Sequence, residues 1–224
     1  MMFRAALGIA VALLPRRIKV LALRSLFGFA VDRSARIGFS LLLPRRLTMG
    51  PNSKIGHLTV IKDISEVVLG DSASIGNLNW ITGFPLGTDS AAFADQPIRQ
   101  AQLTIGDHAA ITNRHLVDCT DAVVIGRFAT LAGFRSQILT HSISVDESRQ
   151  RCKPVVIGDY TFVGTGSIIL PGSRLPAHSV LGAGSVLNKE YVEEHWLYAG
   201  SPALPVKQLS KDAAYFKRTE GYVL

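Results

Sequence analysis

A chain of 224 residues that is 47% hydrophobic and 18% charged has enough apolar side chain for one domain of good size, which excludes global disorder. The net charge of +7 is uneven: residues 1–62 hold eleven Lys or Arg against one acid, Asp32, a balance of +10, and the remainder holds thirteen against sixteen, a balance of −3. Basic character confined to the N-terminal region argues against nucleic acid as a partner and for a local anionic one, a membrane surface first. The two cysteines, Cys119 and Cys152, lack the spacing of a zinc pair, so buried or free thiols in a reducing compartment are expected.

The N-terminal segment, residues 1–34, opens "MMFRAALGIAVALLPRRIKVLALRSLFGFAV". Its apolar run, residues 5–14, is about half of the ~20 residues a spanning helix needs, and Pro15, Arg16 and Arg17 end it. The next stretch mixes Lys19 and Arg24 with Leu, Ile and Phe. That argues against a cleaved signal and for an amphipathic helix, either lying on anionic lipid or only capping the domain.

Residues 35–190 keep an apolar beat six positions apart: Ile37, Leu43, Met49, Ile55, Ile61, then a step of eight to Leu69, Ile75 and Ile81. Ile105, Ile111 and Val117 follow in phase, a second step of eight reaches Ile125 and Leu131, and the beat resumes over Ile157, Val163, Ile169, Leu175, Leu181 and Leu187. Glycine often follows the apolar residue. Four positions after it stands a small residue, as at Thr161, Ser167, Ser173, Ser179 and Ser185. Asn79, His115, Asp121 and Arg135 depart from that rule. A period of six is three strand periods, so each hexad reads as a short strand ending at a bend, stacked into a narrow solenoid with protected ends. Two excursions interrupt it, near 83–104 and 139–154. A short helical tail, residues 191–224, is expected to close it.

The pattern of Ile, Leu or Val, then Gly, two variable residues and a small one, together with "VVIGDYTFVGTGSIILPGSRLPAHSVLGAGSVL" (155–187) and "YAGSPALPVK" (198–207), resembles the hexapeptide-repeat acyltransferase family. The resemblance implies a mainly β fold, the left-handed parallel β-helix. It also implies transfer of an acyl group from acetyl-CoA, and a homotrimer with active sites between subunits.

"LTHSISVDESRQRCKPVVIG" (139–158) resembles the interrupted coil of the family's sugar O-acetyltransferases, in which a catalytic histidine stands near the start of the loop; His141 takes that position. A thioester is already activated, so the chemistry asks mainly for a base near neutral pH, to which imidazole is suited. Asp146 and Glu147 are the loop carboxylates considered for orienting the ring. The resemblance assigns acceptor contact to Asn113 and Asp118, with Arg114 and His115 as alternatives. It assigns coenzyme contact to Thr165, Ala183, Asn188 and Lys207; Leu204 stands where a second basic residue is often found. Trp80, Phe84 and Phe93 are read as packing for their excursion rather than as a sugar-stacking wall.

The expected function is therefore acetyl-CoA-dependent O-acetylation of a sugar or lipid-linked glycan acceptor in surface-polysaccharide synthesis, in the cytoplasm or peripherally on the inner membrane face. An N-acetyltransferase and a non-enzymatic β-helix scaffold are the alternatives. The six histidines, His57, His108, His115, His141, His178 and His195, offer no closely spaced pair of the kind a zinc anhydrase on this fold uses, so no metal is expected.

Overall fold

The computed structural model describes residues 2–88 and 91–223. Strands of two to four residues recur along the chain, and each pairs in parallel with the strand one coil on: Ile37 with Ile55, Ile55 with Ile75, Ile75 with Ile111. Three parallel sheets result, visited in turn, which form the three faces of a prism seven coils long. The beat residues point inward and are buried in one continuous apolar column. The small residues Thr161, Ser167, Ser173, Ser179 and Ser185 are buried beside them, as the narrow interior requires. Glycine after the beat answers to coil stacking: a Cβ on Gly158 would stand 2.5 Å from the Ala177 amide nitrogen of the next coil.

Two positions differ from the regular beat. Leu42, not Leu43, points inward and pairs with Ile61, and Leu43 instead packs on the N-terminal helices. Arg135 takes a left-handed corner conformation and is exposed, and Ser136 fills the inward place. One inserted residue at that bend shifts the phase.

The N-terminal segment forms two helices, α1 (Met2–Ala12) and α2 (Arg16–Phe27), and the first solenoid strand begins at Ala30. Pro15 separates the helices, and Gly28 ends α2 in the left-handed conformation. Val11, Val20, Leu23 and Phe29 bury against the first coil. The Lys19 ammonium donates to the carbonyls of Ile37 and Gly38, at 3.4 and 2.7 Å, and ties α2 to the second face.

The C-terminal tail is not mainly helical, contrary to expectation. Trp196–Gly200 adds an eighth strand to the second sheet and pairs antiparallel with Ala203–Gln208; one short 3-10 turn, Ala214–Lys217, follows. Adding a strand satisfies the open edge of that sheet. On the bend between the first and second faces, the rings of His108, Phe128, Tyr160, His178 and His195 stack at 4.7–5.5 Å. Phe216 and the Arg218 guanidinium close over this column.

Candidate active site

The bend between the third and first faces is where both excursions leave the solenoid. In the fourth coil the third-face strand is Leu116–Asp118, and in the fifth Gln137–Ile138 pairs with it. The chain then turns outward as an antiparallel hairpin, His141–Ser144 with Arg149–Cys152, which places His141 opposite Cys152. A coil has no room inside for a substrate, so an opening of this kind is where one can meet a side chain.

His141 Nδ1 lies 2.7 Å from Asp118 Oδ2. Asp118 is 8% exposed. Its Oδ1 accepts from the Thr120 amide and hydroxyl; its Oδ2 accepts from the Thr140 amide and hydroxyl and from the His141 amide. Burial pushes the carboxyl upward, but the hydrogen bonds from His141, Thr120 and Thr140 outweigh it and leave it at about 2. An ionised carboxylate only accepts, so in the neutral ring Nδ1 carries the proton and Nε2 keeps its lone pair. The same hydrogen bond raises the His141 pKa against the opposing effect of burial. The side chain is 41% exposed, so the ring is open to a reacting partner. Cys152 offers no competing nucleophile, because burial pushes its thiol up to about 11.

The excursion at 83–104 packs against this ring. Phe93 is buried, and its ring meets His141 edge-on, with centroids 6.1 Å apart and planes at 89°. Arg99, also buried, lies over the rings of Phe84 and Phe93 and donates to the carbonyls of Phe84, Pro85 and Thr120. Arg99 thus joins the excursion to Thr120, which itself holds Asp118. The two excursions are clamped together: Gln96 exchanges hydrogen bonds with the Cys152 amide and carbonyl, and Asp95 pairs with Arg149 and Arg151.

The structure redistributes the residues picked from the sequence. Asp118 stands behind His141 as its partner and its oxygens are already engaged, so it is not a free acceptor contact. His115 is fully buried between coils, which removes it from acceptor contact. Its Nδ1 accepts from the Ser136 amide and its Nε2 meets the Thr112 hydroxyl at 2.9 Å; desolvation lowers its pKa to about 4. Asn113 and Arg114 are exposed at the opposite edge of the third face, where Asn113 Oδ1 accepts from the Asn77 amide. The loop carboxylates do not orient His141: Glu147 binds Arg151. Thr165 and Ala183 line the same bend as Asn113, one coil apart. Asn188 follows the last third-face strand, and Lys207 lies opposite Leu197 in the C-terminal hairpin. Phe84 and Phe93 pack, as read; Trp80 is exposed on the third face under Lys62.

Sequence reasoning missed the roles of Asp118, Thr120, Thr140, Phe93 and Arg99. For Asp118 a signal existed, since 23 residues, about one coil, separate it from His141. Among the described residues, His178, Glu194 and His195 bring ligand atoms within 4.8 Å of one another. The two rings are stacked nearly parallel under Phe216, on a bend remote from His141.

No protein-family model matches the chain. It is similar to the galactoside O-acetyltransferase of Lactococcus lactis, with 31% identity over 101 residues, 44% of this chain and 48% of that protein. The chain spans less than two thirds of the length of the first curated relatives it matches. Among solved structures, a hexapeptide-repeat-containing acetyltransferase from Vibrio cholerae is similar with a TM-score of 0.51 at 19% identity, over 94% of this chain and 90% of that one. A variant of an N-acyltransferase from Bacillus cereus, in complex with dTDP-4-amino-4,6-dideoxyglucose and coenzyme A, gives 0.50 at 14%, over 84% of each.

Proposed function

We propose that the chain, which has the left-handed parallel β-helix fold of the hexapeptide-repeat acetyltransferases, is an acetyl-CoA-dependent O-acetyltransferase acting on a sugar hydroxyl of a surface-polysaccharide precursor, with His141 as general base. The observation that carries this reading is the His141–Asp118 pair at the solenoid's opening, in which the carboxylate engages Nδ1 and leaves Nε2 to the acceptor. The acceptor O–H gives its proton to Nε2 as its oxygen attacks the thioester carbonyl carbon. The tetrahedral adduct collapses by breaking the C–S bond, and the imidazolium returns the proton to the departing thiolate. Asp118 stabilises the imidazolium formed on the way and fixes the tautomer.

The galactoside acceptor and the coenzyme A named for the similar proteins support a sugar acceptor and an acetyl-CoA donor. Thr165, Ala183, Asn188 and Lys207 are the coenzyme contacts of this reading, and Asn113 and Arg114 the remaining acceptor contacts. Thr165 and Ala183 are separated from His141 within one chain by the width of the third face. A second chain is needed to bring a coenzyme edge to that histidine, which supports a homotrimer. Leu58, Leu78, Trp80, Leu116 and Phe134, exposed on the third face and its bend, are apolar surface for such an interface. A lipid-linked acceptor would bring the protein to the inner membrane face.

Incubation with labelled acetyl-CoA and the organism's own polysaccharide precursors tests the reading. An ester product, labile to mild base and absent with His141→Ala, is expected. A base-stable amide, or unchanged turnover by that variant, would overturn it.

A further inference from the structure

The N-terminal helices present an outer face that nothing in the chain covers. On α1 the exposed residues are Phe3, Arg4, Ala6, Ile9 and Ala10, and Leu13 is exposed in the turn that follows, while Gly8 and Val11 turn toward the first coil. On α2 the outward set includes Arg17, Ile18, Leu21, Arg24 and Leu26, with Lys19, Val20 and Leu23 inward. The apolar members are large and open: Phe3 is 82% exposed, Leu13 68% and Leu21 66%. No acidic residue occurs before Asp32, whose carboxylate accepts from the Ser34 amide and hydroxyl and lies within electrostatic reach of Arg24.

The basic residues divide into two groups. Arg4, Arg16 and Lys19 donate to solenoid carbonyls and hold the helices down. Arg17, Arg24 and Arg33 are exposed. With Arg16 they surround a cleft of about 860 Å³ whose apolar lining is Pro15, Ile18, Val20 and Leu21. Guanidinium groups around an apolar floor match a phosphate joined to an acyl chain. No helix among the described residues is long and apolar enough to cross a membrane.

We propose that the outer face of α1 and α2 is a docking surface for a membrane carrying anionic phospholipid headgroups. Phe3, Ile9, Leu13 and Leu21 enter the interface, and Arg17, Arg24 and Arg33 meet headgroup phosphates. The charge complementarity commits the face to this occupant. A second copy of the chain would bring arginines against arginines, and a neutral apolar partner would leave them unmatched. A purely capping role explains the inward residues of both helices but not the outward ones.

Co-sedimentation of the full chain with vesicles tests this, independently of the reaction. The chain is expected to bind phosphatidylcholine vesicles doped with phosphatidylglycerol, less so as salt is raised, and to bind pure phosphatidylcholine weakly. Arg17→Gln with Arg24→Gln is expected to weaken binding roughly thirty-fold, at about five-fold per charge. Leu13→Ser with Leu21→Ser should weaken binding to both vesicles, and both pairs should keep the wild-type thermal midpoint. Equal binding to charged and neutral vesicles would overturn the proposal. So would a leucine pair that changes the oligomeric state and leaves vesicle binding intact, since the face would then belong to a second copy.

Discussion

His115 enters the third face of the fourth coil and His141 leaves the third face of the fifth, so the two imidazoles flank one sheet, yet they have opposite surroundings. His115 is sealed between coils, where Ser136 donates to its Nδ1 and desolvation holds its pKa at about 4. His141 is half open, and the carboxylate behind it raises its pKa. Nδ1 is the contact atom in both. In one ring it accepts from a backbone amide; in the other it donates to a carboxylate. The partner at Nδ1 decides which nitrogen is left for chemistry, and the bend decides whether a substrate meets it. A regular bend buries its histidine as a structural polar residue, and an interrupted bend leaves its histidine open to a partner, as the proposed role of base requires.

Exchanging the two by mutation gives the largest expected contrast. His141→Ala should lower kcat/KM by roughly 10²–10⁴-fold and leave the thermal midpoint near wild type. His115→Ala should do the reverse. It leaves the Ser136 amide without its partner in the interior, at a cost of about 1–3 kcal/mol, and turnover at low temperature should remain close to wild type. Equal activity losses in the two variants would break the distinction.

Asp118→Asn sharpens the same comparison at the level of the tautomer. An amide at that position presents either donor or acceptor to Nδ1, so the proton is no longer fixed there. A fall on the order of 10²-fold or more is expected. The base must be neutral to act, and the carboxylate raises its pKa. Turnover in the wild type therefore declines as pH falls through a raised value, and in Asp118→Asn the acid limb should move to lower pH. A limb that stays in place would show that another group titrates there.

The buried histidine predicts a pH dependence of stability rather than of rate. Its folded pKa, about 4, lies below the ordinary value of 6.5. Above 6.5 neither state binds the proton. Between 6.5 and about 4 the unfolded chain binds it and the folded one does not, so stability falls as pH drops through that window. Thermal melts across it should show a smaller slope for His115→Asn than for wild type.

These features were legible in the sequence to different degrees. The prism was legible because one large and one small side chain per hexad must fit a narrow interior, and the row from Thr161 to Ser185 states that rule without exception. His141 was legible because the beat stops just after it. Asp118 was visible as a residue but not in its role. Added residues at the bends, including the one that moves Ser136 inward in place of Arg135, blur the coil register by enough to hide a contact between residues 23 apart. Phe93 and Arg99 lie in an excursion that has no period, so only the folded chain brings them to the ring. The C-terminal hairpin was missed because the open edge of the second sheet, which it completes, is a property of the assembled solenoid.

Phe93→Leu carries the smallest expected effect and separates packing from placement. The edge-on contact with His141 belongs to a class of aromatic pairs worth about 0.5–1.5 kcal/mol beyond area burial. If all of it serves to hold the imidazole toward the acceptor, kcat should fall about two- to twelve-fold with KM nearly unchanged. Leu keeps most of the apolar volume, so Arg99 retains its three backbone carbonyls and the excursion stays folded. The acid limb should stay where it is, because Phe93 carries no charge. In the Asp118→Asn background the ring has already lost its fixed orientation, and Phe93→Leu should cost less there than in wild type. Additive losses in that double-mutant cycle would make Phe93 a filler of the wall rather than a positioning residue for the base.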